Sequence, residues 1–267
     1  MDILVTFDEN YILPFKTMLK SFVASNSDTK NTFWLIHGGI KEKHLQDLKK
    51  FCNSQKTDFK HICISEKYFE SAKITKRYPQ SMYYRLLAAK ILPKSLDRIL
   101  YIDPDILVIN NLKKLWEMEF PEGKVFAAAS HAIIGNLTDN INKLRLDTDH
   151  SYFNTGVILM DLVKAREIVD MEEIIKNINE SSDIELLLPD QDIFNSMYGK
   201  YTIEIPDELY NYDVRFYTAY LLNSENKHDL DWVMKNTCIL HFCGKKKPWR
   251  SRRYSMFSSL YKYFMYK

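Results

Sequence analysis

The chain has 267 residues, 46% of them hydrophobic, and a formal charge of only +2, so it can bury a substantial core and is not a disordered segment. It holds no run of about 18 uncharged apolar residues, which excludes a membrane-spanning helix, and Asp8 arrives too early for the apolar region of a signal peptide. Cys52, Cys63, Cys238 and Cys243 lack CxxC spacing and read as reduced thiols of a cytoplasmic protein.

In chain order, the apolar run Ile3–Phe7 predicts a first strand, and Tyr11–Ala24 predicts a helix that tolerates Pro14 in its first turn. Phe33–His37 predicts a second strand closed by Gly38 and Gly39. An amphipathic helix follows over Lys41–Cys52, with Leu45, Leu48, Phe51 and Cys52 on one face. Phe59–Ile64 predicts a third strand, Gln80–Leu92 a helix stopped by Pro93, and Ile99–Ile102 a fourth strand. The second half is less regular. Val125–Ala129, Phe153–Met160 and Thr237–Phe242 read as strands, Leu162–Ile178 as one long helix, and Pro189–Met197 as a short one. Alternating strands and helices with continuously apolar strands predict an α/β fold, a Rossmann-like, mostly parallel central sheet with helices on both faces.

Ligands of such sheets bind beyond the carboxyl ends of the strands. Asp8-Glu9-Asn10 stands after the first strand, Asp103-Pro104-Asp105 after the fourth, and His241 near the end of the last. Alternate residues of an extended chain point the same way, so Asp103 and Asp105 can aim both carboxylates at one point, with Pro104 holding its own φ between them. Two carboxylates that close need a cation, divalent and oxygen-seeking. The competing reading has one aspartate capping the next turn and the other facing water. Asn10 is either a helix cap or a group that reads a uracil or ribose edge. Only seven glycines occur, without G-x-G-x-x-G or a P-loop, so a bound nucleotide would have its diphosphate held by metal and basic side chains. His241, followed by Gly244 and Lys245–Lys247, is either a structural histidine or a ligand. As a ligand beside two carboxylates it suits Mn²⁺, with Mg²⁺ as the alternative cation.

Six segments in this order, FDENY (7–11), YYRL (83–86), ILYIDPDILV (99–108), YFNTGVILM (152–160), PDQDIFN (189–195) and LHFCGKKKPW (240–249), resemble family 8 glycosyltransferases. That group holds bacterial lipopolysaccharide galactosyl- and glucosyltransferases and, more distantly, glycogenin. The resemblance spans residues 2 to 249. It implies a GT-A fold and a retaining transfer of galactose or glucose from a UDP-sugar to a saccharide or lipid-linked glycan, with Mn²⁺ as cofactor. Asp103, Asp105 and His241 match the metal ligands. Thr6, Asp8 and Asn10 match the uridine loop. Arg85, Asn154, Asp190 and Gln191 match the surroundings of the donor sugar, and Gly244 and Lys247 the diphosphate contact; Pro104 sits within the donor-binding aspartate motif. Asp192 is the other acid of the same segment that could meet the sugar. A departure falls at Ser130-His131, where relatives carry an acidic residue, so acceptor contacts there should differ.

Retention usually needs a carboxylate nucleophile, but the matching position is Gln191, an amide. Front-face attack follows: the acceptor hydroxyl enters beside the leaving phosphate, the Gln191 carbonyl steadies the oxocarbenium-like sugar, and Asp190 orients its hydroxyls. The end of the chain is a separate matter. Lys245–Lys267 carries eight Lys or Arg and no acid, leaving 29 basic against 35 acidic residues elsewhere. Basic groups interleaved with Trp249, Tyr254, Phe257, Tyr261, Tyr263, Phe264 and Tyr266 predict a catalytic domain over 1–248 and a tail over 249–267. Residues 245–267 suit peripheral contact at the inner face of the plasma membrane, and the acidic body argues against nucleic acid. A helix packing its aromatics on the body is the alternative. The competing functions are a haloacid-dehalogenase-like phosphatase, which places its D-x-D near the N-terminus, and a non-catalytic sugar- or membrane-binding scaffold.

Overall fold

The apolar runs form ten strands among the residues that the computed structural model describes, 1–64, 80–130, 136–180, 188–250 and 256–267. They are β1 (Asp2–Thr6), β2 (Thr32–His37), β3 (Asp58–Cys63), β4 (Arg98–Ile102), β5 (Ile106–Val108), β6 (Phe126–Ser130), β7 (Phe153–Asp161), β8 (Thr202–Glu204), β9 (Tyr212–Asp213) and β10 (Ile239–His241). A large sheet has the order β3-β2-β1-β4-β7-β6-β8. All its neighbours pair in parallel except β7, which is antiparallel to both β4 and β6. The mostly parallel sheet expected from the strand-helix rhythm is therefore present. Its one reversed strand brings its own start, Phe153-Asn154, to the edge where the other strands end.

Alternate residues of each strand leave on opposite faces, and the two main cores record this. Leu4, Trp34, Ile36, Tyr101 and Ile158 pack on one face, and Ile3, Val5, Phe33, Leu100 and Val157 on the other. A smaller sheet, β5-β10-β9, builds a third core from Leu107, Tyr212 and Leu240 with the C-terminal helix Met256–Tyr266. That helix buries Phe257, Tyr261 and Phe264, each worth about 1.5–3 kcal/mol. Its outer face keeps Met256, Tyr263 and Tyr266 exposed. Much of the tail's aromatic content is thus core, while Tyr254 and the two arginines Arg252 and Arg253 lie outside the described residues. No helix among the described residues is long and apolar enough to cross a membrane.

Two predicted helices take another form. Gln80–Leu92 divides into a 3₁₀ stretch, Gln80–Arg85, and a single α-turn, Ala88–Ile91. Tertiary packing outweighs local preference here, because Tyr83, Tyr84, Leu86 and Leu87 are all buried and cannot share one helical face. Leu162–Ile178 is also two helices, Leu162–Ile168 and Met171–Glu180. Val169 is extended between them, and the Asp170 carboxylate accepts from the Glu172 and Glu173 N–H groups to start the second.

Candidate metal centre

The chain passes from the large sheet to the small one at Asp103-Pro104-Asp105. Asp103 N–H donates to the Gly156 carbonyl at 2.8 Å, closing the β4–β7 ladder, and Phe242 N–H donates to the Asp105 carbonyl at 3.0 Å, opening the β5–β10 ladder. Pro104 has no N–H to join either ladder, so it suits the junction. Register then delivers the third residue, because His241 pairs with Ile106, immediately after Asp105. The sequence placed His241 at the end of a strand in the main sheet. It belongs instead to the small sheet, and only the β5–β10 pairing brings it to the aspartates.

His241 Nε2 lies 3.3 Å from Asp105 Oδ1 and 3.8 Å from Asp103 Oδ2. One ligand atom from each of the three residues falls within 4.8 Å of the others. Two carboxylate oxygens and one imidazole nitrogen fit a divalent cation that accepts both donor types, as Mn²⁺ does more readily than Ca²⁺ or Mg²⁺. The imidazole is already oriented for this. A carbonyl oxygen can only accept, so with Asn211 Oδ1 at 2.8 Å the Nδ1 must carry hydrogen and Nε2 faces the carboxylates.

Positive groups meet the acids from both sides. Lys247 Nζ donates to Asp105 Oδ2, and also to the Phe242 carbonyl at 2.8 Å. Burial alone would raise the Asp105 pKa, but His241 and Lys247 hold it well below the usual carboxylate range. Buried Arg85 reaches Asp103 at 3.0 Å and Asp190 at 3.5 Å, and its Nη1 donates to the Thr155 carbonyl at 2.7 Å. The Tyr101 hydroxyl, which burial keeps protonated far above its ordinary range, donates to Asp103. For Asp190, burial pushes the pKa up against the pull of Arg85.

A cavity of about 250 Å³ opens beside these groups, lined by Thr6, Asp8, Tyr11, Arg85 and the three residues Asp103, Pro104 and Asp105. A neighbouring one of about 220 Å³ shares Phe7, Asp8 and Ser81 and extends to Gly38 and Gly39. Asp8 rather than Asn10 is the cap. Its carboxylate accepts from the Asn10 N–H at 2.9 Å, and Asn10 itself is exposed. The helix Pro189–Tyr198 brings Asp190 and Gln191 in its first turn. Asn195 docks that helix on β7, trading hydrogen bonds of 2.7 and 2.8 Å with the Phe153 backbone. Asp192 faces elsewhere: Arg145 binds both its oxygens, and Tyr152 and the Leu188 N–H also donate to it. Gly244, three residues before Lys247, has φ +81°, a conformation that side-chain-bearing residues rarely adopt, and lies beside the Arg215 side chain.

Three contributors escaped the sequence reading: Asn211, Asn195 and Gly156. None sits in a charged cluster, and only their positions in the folded chain show what they do. A Cβ on Gly156 would stand 2.3 Å from His241 Cε1 and 3.0 Å from Asp103 Oδ2. Gly156→Ala should therefore push the imidazole aside and weaken divalent-metal affinity by about 10–100-fold, as loss of ligand orientation does. Titration of Mn²⁺ by electron paramagnetic resonance measures this, and unchanged affinity in a folded variant refutes it. At the predicted departure, the Ser130 hydroxyl donates to Glu204 on β8, which also accepts from Ser151 at 2.9 Å. A carboxylate thus does stand at that corner, supplied by another strand. His131 lies outside the described residues.

Residues 2–253 match the family model described as Glycosyl transferase family 8. General stress protein A of Bacillus subtilis is 24% identical across 99% of this chain and 93% of its own length. A lipopolysaccharide 1,2-glucosyltransferase of Escherichia coli is 26% identical across 91% of this chain and 71% of its own. Among solved structures, the galactosyltransferase LgtC in complex with donor and acceptor sugar analogues superposes with a TM-score of 0.81 at 22% identity, covering 99% of this chain and 95% of that one. GlyE of Streptococcus pneumoniae gives 0.73 at 18% identity, over 100% of this chain and 60% of its own. The fold is accordingly the GT-A glycosyltransferase fold that the motifs implied.

Proposed function

The chain belongs to glycosyl transferase family 8, and we propose that it moves galactose or glucose from a UDP-sugar to a saccharide hydroxyl, with retention at the anomeric carbon and dependence on Mn²⁺. The observation that carries this reading is the convergence of Asp103, Asp105 and His241 within 4.8 Å beside the cavity lined by Thr6, Asp8 and Arg85. Asp103, Asp105 and His241 would hold the cation, which when bound stabilises the charge that develops on the departing diphosphate. Lys247 adds a charge-assisted hydrogen bond to the phosphates, exchanging it for the one it makes to Asp105. Thr6, Asp8 and Asn10 take the uridine, and the turn at Gly244 lets the backbone approach the diphosphate.

Arg85 and Asn154 flank the sugar, and Asp190 orients its hydroxyls. Asp190 is preferred to Asp192 because the oxygens of Asp192 already accept from Arg145, Tyr152 and a backbone N–H. Gln191 presents its carbonyl to the anomeric carbon. The acceptor hydroxyl attacks on the face of the leaving phosphate, and that phosphate takes its proton. Lipopolysaccharide or a related surface glycan is the acceptor class, in keeping with the names of the relatives. Met256, Tyr263 and Tyr266, exposed beside Lys267, form the face of the 249–267 tail suited to peripheral contact with the cytoplasmic leaflet.

Incubation with UDP-galactose and UDP-glucose, with and without Mn²⁺, tests the reaction. Mn²⁺-dependent release of UDP from one of them is expected. Release of inorganic phosphate instead, or no turnover of any UDP-hexose in the presence of acceptor saccharides, overturns it.

A further inference from the structure

Three hydrogen bonds through two side-chain amides join His241 to Gln191 in one line. His241 Nδ1–H donates to Asn211 Oδ1 at 2.8 Å, Asn211 Nδ2 donates to Asn154 Oδ1 at 2.8 Å, and Asn154 Nδ2 donates to Gln191 Oε1 at 3.2 Å. Every bond runs the same way, from the imidazole toward Gln191. An amide carries its donor and acceptor on opposite ends, so reversing Asn211 or Asn154 would set donor against donor and acceptor against acceptor, and reversing Gln191 would set donor against donor. Two backbone groups hold the line in place. Gly156 N–H donates to Asn154 Oδ1 at 2.9 Å, and Asn211 N–H donates to the Asp207 carbonyl at 3.0 Å. The Asn211 side chain is fully buried, so no water competes for its hydrogen bonds.

We propose that Asn211 is a positioning residue that sets the metal-binding tautomer of His241 and, through Asn154, the orientation of the Gln191 carboxamide. The metal centre and the sugar-side amide are then governed by a single hydrogen-bonded chain. This rests on the reading of Asp103, Asp105 and His241 as metal ligands and of Gln191 as the group facing the sugar. Electron density drawn from the imidazole at Nε2 makes Nδ1–H a stronger donor and polarises each amide after it. The chain has another consequence for Gln191: its oxygen accepts from Asn154 with one lone pair, which fixes the carboxamide and leaves the other lone pair of the same oxygen for the sugar.

Two variants separate the two ends of the relay. Asn211→Asp keeps an acceptor for His241 Nδ1–H and loses the donor to Asn154, whereas Asn211→Leu loses both. Mn²⁺ affinity, read by electron paramagnetic resonance in the presence of UDP, and kcat and KM for UDP-hexose turnover are measured on folded protein. Asn211→Leu should weaken Mn²⁺ binding by about 10–100-fold and lower kcat with it. Asn211→Asp should bind Mn²⁺ within about threefold of wild type, yet lose about 10-fold or more in kcat with little change in KM. Asn154→Asp, which keeps its acceptor and loses its donor to Gln191, should repeat that second pattern. A purely structural role would lower affinity, kcat and thermal stability together in all three variants. That result, or wild-type affinity in Asn211→Leu, overturns the relay. Wild-type protein that takes up no Mn²⁺ at all defeats the metal-site reading instead, and the two failures are told apart by that single control.

Discussion

Asp105→Asn is expected to lower Mn²⁺-dependent UDP release by at least about 10²–10³-fold, the cost of removing one group that stabilises developing negative charge. The loss should be larger than for a surface acid because Asp105 is 7% exposed and contacts both His241 and Lys247. An amide in its place is neutral and offers one oxygen instead of two. Lys247 would then lose its anionic partner and keep only the Phe242 carbonyl. Asp103→Asn should behave alike, since Asp103 would supply the second oxygen and is held by Arg85 and Tyr101. Circular dichroism establishes that the variants fold, and a coupled assay for UDP measures the loss. Either variant retaining most of the Mn²⁺-dependent turnover removes the metal from the reaction.

The second large effect concerns stability. Arg85 lies under the site with 7% exposure, its guanidinium between Asp103 and Asp190 and over the Tyr101 ring at 4.5 Å. Arg85→Met keeps the length and removes the charge, leaving two acids with less compensation. Breaking a buried pair in this way costs about 3–5 kcal/mol. For a chain of this size that should lower Tm by roughly 10 °C. Arg85→Lys restores the charge but not the planar fork that reaches both acids, so it should recover only part of the loss. Thermal and urea unfolding of the three proteins checks the order. A loss below about 1 kcal/mol in Arg85→Met would mean that water, not Arg85, compensates the acids. Activity should fall in the same variant, because Asp103 would lose the contact that orients it.

At residues 249–267 composition alone left two readings open, a membrane-facing surface and a helix packed on the body. Interleaved cations and aromatics in 249–267 look alike whether the aromatics face lipid or protein. In the folded chain Phe257, Tyr261 and Phe264 fill the third core, with Tyr261 packed edge-on to Phe242 at 5.0 Å and stacked on Trp249 at 5.5 Å. Among the described residues of the tail, one helical face, with Met256, Tyr263 and Tyr266, stays exposed. The two broken helices have a related cause. Helical spacing of apolar residues was visible at 80–92 and 162–178, but the break at Val169 and the 3₁₀ winding at 80–85 answer to what each segment packs against.

What was legible in the amino acids was whatever depends on neighbours in the chain. Continuous apolar strands between helical runs implied the parallel sheet, two aspartates at alternate positions implied a shared focus, and six ordered motifs implied the family. What the folded arrangement added depends on register and on strand direction, which act between distant residues. The pairing of His241 with Ile106 brings the imidazole to the aspartates. The reversal of β7 brings Asn154 and Gly156 to the same edge. Uncharged Asn211 carries no mark of its task, because a buried amide is specified by the partners around it and those partners lie 30 and 57 residues away.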